Sequence, residues 1–329
     1  MIFLSLIAVI GLLVWLGNPG WIHQDAWFRS LSHKLQQAPG LAALPAIPLL
    51  LALLIPLAVL LAIFVAVHQI FGKLYLFAIY VPVLLYSLGR GDLIADVKSY
   101  LEFVRKGDNV AASLWLESFR GKPLRGIDSM HEGVIEDWKT LHTKALKAIA
   151  YRSFERNFAV IFWFVIIGPF GALLYRLSVL YHLQAEVGSD HARVAGKWLW
   201  LLEFPAVRLM GVTWALVGNF DTSPLRHAVT DLDSSSARIL NECLRGALGA
   251  PTRAFELQKA DMNTADQRQD LEQERKEETE DLIEDLTGDV ITTHSEPAYS
   301  LALIRSALTL HSRSLLFWLC AIAFATLFV

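Results

Sequence analysis

The chain has 329 residues, 54% of them hydrophobic, and a formal net charge of −3. A soluble domain rarely combines that apolar fraction with several uninterrupted apolar runs, so composition excludes an ordinary soluble enzyme and points to an integral membrane protein with substantial polar parts. Charge is nearly absent from the first third and dense in two later blocks, and the two cysteines, Cys243 and Cys320, make neither a disulfide framework nor a metal site.

Met1–Leu16 is apolar and just long enough to span. It lacks the basic start and small-x-small site of a cleaved signal, so it reads as retained. Asn18-Pro19-Gly20 stops it. His23–Gln37 carries Trp27, Phe28, Leu31 and Leu35 at helical spacing, with Arg29 and Lys34, which suits either an interfacial helix or a solvated connector. Leu41–Phe71 is a long apolar run interrupted by Pro45, Pro48 and Pro56; the helix proper starts near Pro48 and kinks at Pro56. Gly72-Lys73 makes a tight turn into Leu74–Leu88, which carries Tyr75, Tyr80 and Tyr86, and the two apolar segments are expected to form a hairpin in the membrane.

Gly89–Arg156 is polar. Asp92 is placed to cap a helix with Ile94, Val97, Leu101 and Val104 on one face. Gly107 ends it and Asp108 caps the next. After a glycine-proline loop, Gly121–Gly126, Asp128 opens a helix through Ala150 with Val134, Trp138, Leu141, Ala145 and Ile149 on one side.

The central stretch Asn157–Tyr181 carries no charge from Phe158 to Leu174. At about 1.5 Å per residue it is long enough to cross a core of about 30 Å. Pro169, between Gly168 and Gly171, predicts a kink within that crossing, and Gly168 with Ala172 gives a small-xxx-small spacing for close helix approach.

His182–Lys197 is a short polar connector. Trp198–Gly218 is apolar except for Glu203 and Arg208. Ser223-Pro224 starts a helix over Leu225–Leu248, and Gly249-Ala250-Pro251 ends it. An acidic stretch between Asp261 and Asp285 reads as a solvated helix or arm. Ser312–Val329 is a final span.

Lys and Arg flank the spans at Gly89–Arg156 and around the second polar block, which places both blocks in the cytoplasm. With six crossings both termini face out. The fold expected is all-α: a polytopic helical membrane protein with two cytoplasmic helical blocks. Its units are a membrane region over 1–88, a cytoplasmic block over 89–157, a central membrane region over 158–218, an acidic cytoplasmic block over 219–314 and a last helix over 315–329.

Three pieces in order carry a family resemblance: YSLGRGDLIADVKSYLEFVRKGD; IEDWKTLHTKALKAIAYRSFERNFAVIFWFVIIGPFGALLYR; and LLEFPAVRLMGVTWALVG. The chain resembles the AmpE family, inner-membrane proteins linked to beta-lactamase induction, over about Tyr75–Gly218. More distantly it is similar to the cobinamide-phosphate synthase family. The first resemblance implies a regulatory or sensory membrane protein. Against the second, the synthase pattern Glu-Asn-x-x-Asp reads here Tyr151, Arg152 and Glu155, and Asn-x-x-Asp reads Val179 and His182. Only Glu155 keeps a carboxylate, and tyrosine, arginine and valine do not replace groups suited to magnesium or an amine nucleophile.

The candidate ligand-binding residues are Arg152, Glu155, Arg156, Arg176, His182, Glu203 and Arg208. Arginine binds phosphate bidentately, so Arg152, Arg156 and Glu155 at one mouth of the central stretch suit an anion or headgroup as well as interfacial anchoring. His182 stands where the synthase pattern has an aspartate and also suits an interface. Glu203 and Arg208 lie about 140° apart around a helix, too far for a regular intrahelical pair. Each is therefore expected to turn inward or reach the interface: Arg152, Arg156 or Arg176 towards Glu203, and Glu155 towards Arg208. His131, Glu132, Glu136 and Asp137 gather at a helix start, where the dipole accounts for the acids better than a divalent ion does.

No catalytic residue, metal or cofactor is expected, and no basic aromatic-interleaved patch supports nucleic-acid binding. The partners expected are the lipid bilayer, a cell-wall or phosphorylated small molecule, and a protein of the induction pathway. Three functions follow: a regulatory membrane protein, an enzyme on an envelope metabolite, and a carrier of cell-wall fragments. The carrier ranks last, because six crossings without an internal repeat is little for one.

Overall fold

The computed structural model describes residues 2–16, 24–38, 44–71, 76–88, 91–119, 138–186, 188–224, 234–249 and 296–327, and all regular structure among them is helical. The Gly72-Lys73 turn, the Gly121–Gly126 loop, the His131–Asp137 group, most of Leu225–Ser235 and the acidic stretch lie outside the described residues.

Among the described residues twelve helices follow in order: α1 Ile2–Leu16, α2 Ala26–Gln37, α3 Ala46–Phe71, α4 Phe77–Ser87, α5 Leu93–Lys106, α6 Asn109–Phe119, α7 Trp138–Ser153, α8 Ala159–Ile167, α9 Pro169–Gln184, α10 Asp190–Val217, α11 Ser236–Ala247 and α12 Glu296–Leu327. A wide π turn, Phe154–Phe158, joins α7 to α8. Among the described residues, three helices are long and apolar enough to cross a membrane: Ala46–Ile70 in α3, α10, and Leu301–Thr326 in α12. Ile2–Leu13 and Phe77–Ser87 are shorter apolar helices.

The polar helices begin and end where local chemistry demands. Asp92 Oδ1 accepts from the amides of Ile94 (2.9 Å) and Ala95 (3.2 Å) at the start of α5. Gly107, at φ +70°, closes α5 in the left-handed conformation that glycine adopts at little cost. Asp108 then caps α6 through the amide of Ala111 at 2.8 Å. The buried stripe of α5 is Leu93, Val97 and Tyr100; of the expected face Val97 is buried, Leu101 and Val104 are half-buried against the core, and Ile94 is 45% exposed. Tyr100 wins the inward position because His142 of α7 accepts or donates a 2.7 Å bond there and Trp115 of α6 packs on its ring. Burial pushes the Tyr100 phenol well above its ordinary pKa, so it stays protonated.

The central stretch departs most from expectation. It is not one kinked crossing. Gly168, at φ +72°, breaks it, and Pro169 restarts a helix at its first position, where a missing amide costs nothing. The chain folds back, so that a Cβ on Gly171 would stand 2.3 Å from the Trp163 carbonyl oxygen, eight residues earlier. Glycine is required at 171 by this backbone contact. Helix α9, buried along most of its length, packs against α3, α4, α8 and α10. Both α3 and α4 pack on α9, and α4 also packs on α1.

Helix α10 begins at Asp190, capped by Ser189 Oγ, which accepts from the Ala192 amide at 3.1 Å. The polar connector before it is therefore shorter than expected. Helix α12 likewise starts well upstream of Ser312. Helix α7 packs on both α11 and α12, so the two polar blocks share one core.

Gly171→Ala tests the fold-back. A methyl group forced against the Trp163 backbone is expected to cost about 1–3 kcal/mol, read as a lower unfolding temperature in detergent. Unchanged stability would mean that α8 and α9 do not touch there.

Candidate functional site

The π turn sets up the site. It adds a residue to the helical repeat between α7 and α8, and such wide turns commonly sit at functional positions. Phe154, Glu155 and Phe158 all turn inward from it. The Glu155 side chain is 2% exposed. One of its oxygens is bonded by Arg152 Nη1, and the other faces Arg176 Nη1 of α9 at 3.5 Å. Arg152 Nε also donates to the Phe119 carbonyl of α6 at 2.8 Å. The guanidinium thus ties α6, α7 and the π turn together. Arg176 reaches Glu155 only because α9 runs back alongside α8.

Glu203 of α10, also buried, closes the same interior from the other side. Tyr151 Oη donates to its Oε1 at 2.7 Å and Tyr175 Oη at 3.4 Å. Ser236 of α11 adds a further side-chain hydrogen bond. Four elements, α7, α9, α10 and α11, converge on this carboxylate. The expected arginine partners of Glu203 are instead engaged elsewhere: Arg152 and Arg176 are taken by Glu155, and Arg156 by Asp96 of α5 at 2.7 Å. Tyrosine hydroxyls are suited to the position, because an O–H donor satisfies a buried oxygen without bringing a second charge out of water.

Arg208 does not reach Glu155. Its guanidinium lies 3.4 Å from the centre of the Phe204 ring and donates to the Phe204 carbonyl at 3.0 Å. Arg156 packs over Phe119 at 5.1 Å besides pairing with Asp96. His182 stands at the end of α9 with its ring against Gly196 of α10. The structure therefore brings together Arg152, Glu155 and Arg176, sets Glu203 beside them, and leaves Arg156, His182 and Arg208 at the margins.

Tyr151 and Tyr175 were missed as contributors. Tyr151 stood in the sequence only as a departure from the synthase pattern, and the signal was its position on the same helical stretch as Arg152 and Glu155. Among the described residues, no group of three or more His, Cys, Asp or Glu side chains could hold a metal. Glu155 has both oxygens engaged by arginines, so the cluster does not present a free carboxylate base. What it can do is hold α6, α7, α9 and α10 in one arrangement, or release them when a competing anion takes the arginines.

The helices and their buried charges define a helical membrane protein with an ion-paired interior. A family model described as regulatory signalling modulator protein AmpE matches residues 6–251. The chain belongs to the AmpE family and is a regulatory membrane protein. The distant similarity to cobinamide-phosphate synthase is not shown by the comparisons. No curated protein and no solved structure matches the chain.

Removing Glu155 leaves two buried guanidinium groups without their counter-charge. Glu155→Gln is therefore expected to destabilise by about 3–5 kcal/mol. Tyr151→Phe leaves a buried Glu203 oxygen short of a donor and should cost about 1–3 kcal/mol. Thermal unfolding of both variants in one detergent gives the order. A Glu155→Gln protein as stable as the unaltered one would show that the buried pairs do not hold the helices.

Proposed function

We propose that the protein is a multi-pass inner-membrane regulator that takes part in beta-lactamase induction and responds to cell-wall status. The family match over residues 6–251 carries this reading. The geometry supports it, because Glu155 is committed to two arginines and the interior reads as a positional lock rather than an exposed catalytic pair. Its partners under this reading are the bilayer, a cell-wall or phosphorylated small molecule, and a protein of the induction pathway. The anion-binding groups for such a molecule are Arg152 and Arg176, which a phosphate could take from Glu155.

The reading also places both polar blocks in the cytoplasm, which, with the fold-back at Gly168 making no net crossing, requires that α10 enter the membrane without carrying the chain across. The packing of α7 on α11 supports their lying on one side. Reporter fusions at Arg120 and Asp266 should both give cytoplasmic signals, and a periplasmic signal at either would overturn the arrangement.

The function itself is tested by deletion in a strain with an inducible beta-lactamase. Deletion should change the induced level, and the intact gene should restore it. Identical induction with and without the protein would sink the proposal. Turnover of a labelled envelope metabolite by the purified protein would favour the enzyme reading instead.

A further inference from the structure

A cleft of about 520 Å³ opens on the far side of the π turn from Glu155, between α1, the start of α5, α8 and α12. It has the volume of a small-molecule site. Its walls change character along their length. On α12, His311 and Ser312 line one end, and Leu315, Leu319 and Ile322 line the rest. From His311 to Ile322 is about 16 Å of helix. The same order appears next to it, where Asn157 is followed one turn later by Ile161. Asp92, capping α5, stands at the polar end with Gly91. Ile10 and Leu13 of α1 complete an apolar side. The cleft is therefore polar at one end and hydrocarbon-like over the remainder, and it lies against Leu301–Thr326, one of the helices suited to crossing a membrane.

The polar end contains an unmet need. Asn157 Nδ2 lies 3.2 Å from His311 Nε2. An amide NH2 only donates, so Nε2 accepts, and the proton of the neutral imidazole is on Nδ1. His311 is 5% exposed, and its Nδ1 is buried with no hydrogen-bond partner. A buried donor without an acceptor is costly. Among the described residues that line the cleft there is no Lys or Arg. Arg156 lies beside Gly91 but is paired with Asp96. Among these described residues a free carboxylate or a phosphate would meet Asp92 and no cation, whereas an uncharged acceptor meets no such repulsion.

We infer that the cleft binds one acyl chain of a glycerolipid, with the ester carbonyl of that chain at the His311–Asn157 end. The ester supplies an uncharged acceptor one step from a long apolar chain, which is the order of groups the walls present. This site is separate from the Arg152–Glu155–Arg176 cluster and does not depend on the regulatory reading.

The test uses the full chain in nanodiscs made of phosphatidylcholine that carries a photoactivatable diazirine on its acyl chain. Crosslinks mapped by mass spectrometry should concentrate at Ile10, Ile161 and Leu315, above Leu54 and Val59 of α3, which are exposed apolar positions on a candidate span. Even labelling of the two groups would overturn the proposal. In a second arm, native mass spectrometry of detergent-washed protein should find one retained glycerolipid, and Leu315→Trp, which fills the cleft, should weaken retention by about tenfold or more. His311→Leu should weaken it less. Retention of detergent only, of a lipid without an ester, or of glycerolipid unaffected by Leu315→Trp would each sink the assignment. If Leu315→Trp does not fold, the crosslink map of the unaltered protein decides.

Discussion

The Glu155 carboxylate held between Arg152 and Arg176 is the contact on which the arrangement of α6, α7 and α9 depends. In a straight helix, positions 155 and 176 would stand about 30 Å apart. They meet because the chain reverses at Gly168 and α9 returns beside α8. The ion pair and the fold-back therefore imply each other. Taking these charges out of water is expensive, and the expense is met only where each guanidinium and carboxylate keeps several partners. The Phe119 carbonyl supplies one of them to Arg152. The result is a polar junction that fixes how α6, α7 and α9 approach, inside a core that is otherwise apolar and would pack in many ways.

The π turn decides which way each charge points. In a regular helix, residues 152 and 156 share a face. Here the wide turn between them sends Arg152 inward to Glu155 and Arg156 outward to Asp96 on α5. A purely α-helical register would bring the two arginines side by side, with one carboxylate between them and Asp96 left alone. The extra residue in the turn thus converts a like-charge stripe into two separate ion pairs that anchor two different helices.

Much of the polar part was legible in the sequence. Asp92, Gly107 and Asp108 act locally, within a turn of themselves, and local chemistry shows in any window of sequence. The all-helical class followed from composition and from the length of the apolar runs. The fold-back was harder to see. An uncharged run from Phe158 to Leu174 looks the same whether it continues or reverses, and only the pair Gly168-Pro169, a left-handed residue followed by proline at a helix start, marked the break. Partner choice was harder still. Sign alone suggested arginine for Glu203, whereas packing delivered two tyrosines, and Asn157 meets His311 from 154 residues away. Nothing periodic records such a pairing, because it is set by which helices become neighbours.

Three consecutive side chains of the π turn serve three different neighbours. Glu155 goes to α9, Arg156 to α5, and Asn157 to α12. The ion-paired interior and the apolar cleft are therefore separated by only two residues of one backbone turn, with that turn forming part of both walls. Coupling between sites requires a physical element that both sites bias, and spatial nearness alone does not supply one. The π turn is the element common to both, and its residues carry the Glu155 contacts towards α9 and the Asn157–His311 contact towards α12.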